Sequence, residues 1–163
     1  MLFRSRQPKP KDFPAIHAVE AAAFGREDEA LIVEAVRAEG AALVELVAEE
    51  DGQIVGHILF SRMTTEPVRR FAGLAPVAVA PEQQGRGWGE ALCRAGIEAL
   101  RGMGAEAVVV LGHVDYYPRF GFSREAAKLI ASPYAELPGF MAMELTPGAL
   151  AAPIKVDYPR AFS

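Results

Sequence analysis

The chain has 163 residues and a formal net charge of −4 at pH 7, which argues against nucleic acid or an anionic membrane as partner and mildly favours a cationic or neutral substrate. Hydrophobic residues make up 51% and charged residues 23%, enough for a packed core in one domain, residues 1–163. The single cysteine, Cys93, excludes an internal disulfide, and no cysteine or histidine cluster points to a metal. Arg4, Arg6, Lys9 and Lys11 charge the N-terminus, but Pro8 and Pro10 break any apolar run, so no signal peptide is expected. No apolar stretch is long enough to span a bilayer, and a cytoplasmic location is the expectation. No motif sets the oligomeric state, monomer or homodimer.

Residues 2–6 read as a short strand. Asp12 is placed to cap a helix with Pro14 in its first turn and Ile16, Val19 and Ala23 on its buried side, ending at Phe24-Gly25. Asp28 similarly opens a second helix through Ile32, Ala35 and Val36 to Glu39, stopped by Gly40. Residues 42–49 and 53–62 flank Asp51-Gly52, a strong hairpin signal. Residues 63–71, polar and containing Pro67, read as an exposed loop. The apolar run 74–80 is a strand interrupted by Pro76, which cannot donate to a ladder and so marks a bulge or an edge.

Gln84-Gly85-Arg86-Gly87-Trp88-Gly89 follows, and at once Trp88, Ala91, Leu92, Ala95 and Ala99 step at helical spacing toward Gly102. Strand, glycine-rich turn and helix make a phosphate cradle. The first helical turn leaves N–H groups unpaired, the helix dipole adds partial positive charge, and glycines let a large anion approach. Arg86 adds a charge at the rim. A dinucleotide fingerprint fails because Glu90 stands where its third glycine belongs, and no Gly-Lys-Ser/Thr triplet supports a nucleotide triphosphate loop. Residues 105–111 read as an interior strand returning parallel to 74–80 through a right-handed crossover, which collects ligands at the carboxyl ends of both strands. Asp115 is placed to cap a short helix closed by Gly121, Phe122 begins a returning strand, and strands are expected at 140–145 and in the extended segment 154–162.

The pattern Gln84-x-x-Gly87-x-Gly89 resembles the coenzyme A cradle of the GNAT superfamily of N-acetyltransferases, and Tyr117-Pro118-Arg119-Phe120-Gly121-Phe122 resembles the Y-x-x-x-G-F signature downstream of it. The longer L-G-H-x-x-Y-Y-x-R-F-G-F and A-P-V-A-V-x-P stretches look similar to the bacterial YhbS-like branch of that superfamily. The resemblance implies an α/β (α+β) fold with a mostly antiparallel central sheet, one splayed parallel strand pair and flanking helices. It also implies acetyl-CoA as donor and a small-molecule or peptide amine as acceptor, joined by direct attack. Val77, Ala78 and Val79 would pair with the pantetheine arm, and a free N–H at the bulge would polarise the thioester carbonyl. Main-chain N–H groups of Gln84, Gly85, Arg86, Gly87, Trp88 and Gly89 would hold the pyrophosphate. Tyr117 falls where the family's general acid protonates the departing thiolate; Pro118 departs from the commonest pattern but is tolerable in a first turn. The alternative is a non-catalytic acyl-CoA-binding sensor that keeps the cradle and lacks turnover.

Other residues carry plainer readings. His113, at the end of the interior strand, is either a hydrogen-bonded turn histidine or an acceptor for the amine proton. Tyr116 reads as packing or substrate wall, His57 as a satisfied core or face histidine, Cys93 as a small core residue and Glu82 as solvent-exposed. Glu20 and Phe24 lie on the early helices, which line the acceptor side in the resembling family, although most acids there read as solvated helix face. Arg119 either pairs with a carboxylate or touches CoA. No acid is marked as the base.

Overall fold

A computed structural model describes residues 3–163. Six strands hydrogen-bond in the order β1-β2-β3-β5-β6-β8: Ser5–Arg6 (β1), Ala42–Glu50 (β2), Gln53–Arg62 (β3), Phe71–Val79 (β5), Ala107–Leu111 (β6) and Phe140–Glu144 (β8). All neighbours are antiparallel except β5 and β6, the mixed sheet expected from the sequence. Leu2, the start of the expected first strand, lies outside the described residues. The β2–β3 hairpin turns through Asp51 and Gly52, both left-handed at φ 52° and 78°, the pairing a two-residue primed turn requires.

Helix α3 (Trp88–Gly102) covers one face of the sheet, burying Trp88, Leu92, Cys93, Gly96, Ile97 and Leu100 along a single stripe against Phe60, Leu74 and Val108. Gly96 is required by contact: a Cβ there would lie 2.2 Å from the Phe60 ring, which is fully buried. Gly96→Val should therefore cost about 3 kcal/mol, the upper end for overpacking. An unshifted midpoint in urea unfolding would contradict that contact. Helices α1 (Phe13–Phe24) and α2 (Asp28–Ala38) cover the other face over β2 and β3, where Ile16, Val33, Val36, Val47 and Leu59 form the second core layer. Among the described residues no helix is long and apolar enough to cross a membrane.

Several sequence expectations shift. Neither acid caps its helix by a side-chain bond: Asp12 turns back to accept from the Lys9 N–H (2.7 Å) and from Arg6, and Asp28 sits inside the first turn after Glu27. Asp115 does not cap either; a 3-10 turn, Tyr117–Phe120, follows Tyr116 and is closed by Gly121 at φ 109°. The stretch 63–71 is no free loop. Thr64–Glu66 (β4) pairs antiparallel with Ile154–Asp157 (β9), which pairs parallel with Ile130–Ala131 (β7), making a second small sheet. Met63, Phe71 and Val156 are buried in the core this sheet shares with β6 and β8. Residues 160–162 turn rather than extend, and Phe122 begins no strand; Ser123 makes one isolated bridge to Ala142.

Candidate active site

The parallel pair holds for only four residues, Phe71 opposite Ala107 through Leu74 opposite Val110. That corrects the expected pairing of 74–80 with 107–111: past Leu74 the strands separate. The cause lies on β5. Ile58 faces Val77 and Phe60 faces Leu74, so the single residue Leu59 opposes both Ala75 and Pro76, a bulge at the proline. Beyond it the antiparallel ladder resumes, and the Ala80 N–H donates to Val55 O at 2.8 Å. This phase makes Ala78 and His57 a mutually hydrogen-bonded pair and turns the N–H and C=O of Val77 and Val79 to the opposite edge, toward β6. There the gap opens into a cleft of about 640 Å³. Val77 and Val79 line it; Ala78 does not, being 3% exposed and packed on Val19 of α1.

The cradle adjoins this cleft. Gly85 and Gly87 turn the chain at φ 79° and 94°, and α3 starts at the next residue. No acceptor meets the N–H of Gly85, Gly87 or Gly89 among the described residues. The Gln84 side chain reaches back to Val79 O (Nε2 to O 3.0 Å), tying the turn to the strand end. Trp88 contributes main chain alone, since its indole is 2% exposed and edge-on to Phe3 at 4.8 Å. Arg86 leans on Gln83 and on Glu50 (3.6 Å). A second cavity of about 350 Å³ lies over these residues, with Arg119 on its wall. Arg119 takes the first of its two sequence readings, pairing with Glu90 at 3.4 Å, and also covers the Tyr116 ring at 4.4 Å. Val79, Gln84, Gly89 and Tyr116 line both cavities, so the two communicate across Gly89. A Cβ on Gly89 would meet the Tyr116 hydroxyl at 3.4 Å and narrow that throat.

Tyr117 stands in the cleft wall on its 3-10 turn, with Tyr116 and Phe122 edge-on at 5.1 and 5.9 Å. Gly112 lies flat beneath its ring, where a Cβ would sit 2.3 Å from Cε2. Gly139 packs as closely on the Gly112 carbonyl from the other side. These two glycines give the Tyr117 ring its place, a role the sequence did not reveal. Burial raises the Tyr117 hydroxyl well above the ordinary tyrosine range, so it stays a proton donor. Burial likewise pushes Tyr116 up to about 12. The Cys93 thiol, also raised to about 12 by burial, is no nucleophile. His113 is exposed on the cleft wall. Phe24 and Glu29 form the opposite wall, and burial is not what sets Glu29: the Arg26 hydrogen bond (2.6 Å) holds its carboxyl below the usual range.

Behind the cleft, on the α1–α2 face, lies a buried charged chain that sequence reasoning missed. Glu20 Oε2 meets His57 Nδ1 at 2.6 Å, His57 Nε2 meets Glu45 Oε2 at 2.7 Å, and Arg37 clasps Glu45 while stacking on Phe13. Glu20 and His57 are both 0% exposed, which corrects the reading of Glu20 as solvated helix face. The signal was present: Glu20 follows Ile16 by one helical turn, and His57 alternates with Leu59 on the same strand face. Burial opposes charge on His57, yet the two carboxylates outweigh it and raise its pKa; burial also raises Glu20. A folded pKa above the unfolded one gives stability that is complete below the ordinary histidine value and lost as pH rises through the elevated one. Unfolding temperature should thus fall with rising pH above about 6.5. His57→Gln should flatten part of that slope, with the remainder from His17, which Glu34 and Glu27 also raise. A variant slope identical to wild type would show His57 neutral throughout.

Similarity to known proteins falls on the same residues. A model described as the Acetyltransferase (GNAT) family matches residues 11–122. Over 118 residues the chain is 46% identical to YjhQ, an uncharacterized N-acetyltransferase of Escherichia coli K12, a match covering 68% of this chain and 64% of that protein's length. The crystal structure of Escherichia coli YhbS in complex with CoA is 32% identical, with a TM-score of 0.88 over 99% of this chain and 91% of that one. A GNAT family acetyltransferase from Brucella melitensis, crystallised in complex with acetyl-CoA, is 36% identical with a TM-score of 0.84 over 99% of both chains.

Proposed function

Because the chain belongs to the GNAT acetyltransferase family, we propose that it moves an acetyl group from acetyl-CoA to a primary amine, by direct attack with both reactants held in the β5–β6 cleft. The observation that carries this reading is the pair of communicating cavities, a glycine-walled one at the start of α3 and a strand-edge one beside Tyr117. The residues fit the donor. Positive-φ glycines and open N–H groups suit a pyrophosphate, and a glycine in the throat leaves passage for an extended arm. When bound, acetyl-CoA would supply an activated thioester. Gly85 to Gly89 would hold its phosphates through main-chain N–H groups, with Trp88 acting by its backbone only. Val77 and Val79 would pair with the arm, and the Val77 N–H beside the bulge would face the thioester oxygen. Tyr117 would donate its phenolic proton to the departing sulfur. A buried, protonated Cys93 supports transfer without an acyl-enzyme.

The acceptor side is Phe24 and Glu29. An anionic carboxylate next to an aromatic ring favours a cationic amine, in keeping with the chain's net charge of −4. The ammonium must shed a proton before attack, to His113 or to water. One acetyltransferase domain over residues 1–163, acting in the cytoplasm, completes the reading, supported by the second sheet sharing its core with the first. The test is thiol release from acetyl-CoA across polyamines, amino acids, aminoglycosides and peptide N-termini. Turnover with cationic amines, and a KM raised about tenfold by Glu29→Gln, the loss of one charged contact, is the expected result. CoA binding without release for any amine would instead establish the non-catalytic sensor.

A further inference from the structure

The opposite end of β5 carries a cavity unrelated to the cleft. It measures about 420 Å³ and lies beneath the loop joining β4 to β5, between the start of β2 and the end of α3. Leu43, Val68 and Met103 give it an apolar lining over the buried Phe71, Met63 and Ala105. Its walls include two side chains unusually open to water, Val68 at 85% and Met103 at 49%.

Three arginines, Arg62, Arg69 and Arg70, also line it. Six arginines elsewhere, Arg6, Arg26, Arg37, Arg86, Arg94 and Arg119, form ion pairs. At this cavity, among the described residues, the guanidinium of Arg62 bonds the Gly40 carbonyl and that of Arg69 the Val68 carbonyl, and no carboxylate pairs with any of the three. The nearby acid Glu106 is taken by the Arg70 main-chain N–H at 2.8 Å rather than by its side chain, which lies over Gly104. The loop is held in shape: Thr65 Oγ1 donates to Pro67 O (2.8 Å) and accepts from the Arg69 N–H (2.7 Å). In a protein of net negative charge, three arginines beside exposed apolar side chains are complementary to an amphiphilic anion.

We propose that this cavity binds a small amphiphilic carboxylate, its hydrocarbon on Leu43, Val68 and Met103 and its anionic head against Arg69 and Arg70. The proposal is independent of acetyl transfer, because its readout is binding. Octanoate titrated calorimetrically into the full chain saturated with CoA should bind one site. Arg69→Ala with Arg70→Ala should weaken it by about tenfold or more, the loss of charged hydrogen bonds, and leave CoA affinity unchanged. Both arginines are exposed, so the variant should fold. Met103→Asp, an exposed change that adds a repelling charge, should weaken binding independently. No octanoate binding, binding equalled by 1-octanol, displacement by CoA, or affinity unchanged in both variants would each overturn the assignment.

Discussion

Tyr117→Phe should lower kcat for acetyl transfer by about 100- to 10,000-fold, the usual worth of a positioned general acid, and leave CoA affinity unchanged. The geometry makes the substitution clean. Ring contacts with Gly112, Tyr116 and Phe122 fix the aromatic plane, and none of them uses the hydroxyl. Phenylalanine should therefore occupy the same place without the one group that has chemistry to do. Because burial holds the phenol protonated far above neutrality, wild-type turnover should show no loss of this acid across the neutral range. An unaltered kcat in single-turnover assays would remove Tyr117 from the reaction.

The second large effect is on the donor site. Gly89→Asp should weaken CoA binding by about 100-fold, the loss of two charge-assisted hydrogen bonds, while unfolding temperature stays level or rises. The two halves of that result have opposite signs for one reason. A carboxylate in the first turn of α3 is favourable to the helix dipole, by about 0.3–1 kcal/mol, through the same N–H groups that would hold phosphate. The new side chain enters between the Tyr116 hydroxyl and Val79 Cγ2, which would lie 3.4 and 3.7 Å from its Cβ, and so blocks the passage between the cavities. Gly87 is the less informative site, because φ 94° and the Phe3 ring 3.0 Å from a built Cβ would strain any side chain. Titration calorimetry paired with thermal unfolding separates the outcomes: tight CoA binding in a stable Gly89→Asp variant would dismiss the cradle.

Local patterns told much of the architecture in advance. The spacing from Trp88 onward marked α3, Asp51-Gly52 marked the hairpin, and Pro76 marked the bulge, each a preference of neighbouring residues realised within a few positions. The cradle was legible because its parts are contiguous. The small sheet was not: Thr64–Glu66 looks like a loop until Ile154–Asp157 arrives to pair with it. Nor was the Glu20–His57–Glu45–Arg37 chain, whose members come from two helices and two strands, Glu20 and His57 fully buried and Glu45 and Arg37 partly so. Burying such groups is unfavourable unless partners arrive, so no local preference announces them.

By itself, then, the order of residues determined a glycine turn between strand and helix, a tyrosine before Gly-Phe, and a mixed sheet to carry them. Only the tertiary structure decided which main-chain groups reach the cleft. The bulge at Pro76 sets the phase of β5, turning Val77 and Val79 toward β6 and Ala78 away, and four residues of pairing suffice before the strands part. Ladder phase and strand divergence depend on partners distant in the chain, which is why no reading of neighbours alone supplies them.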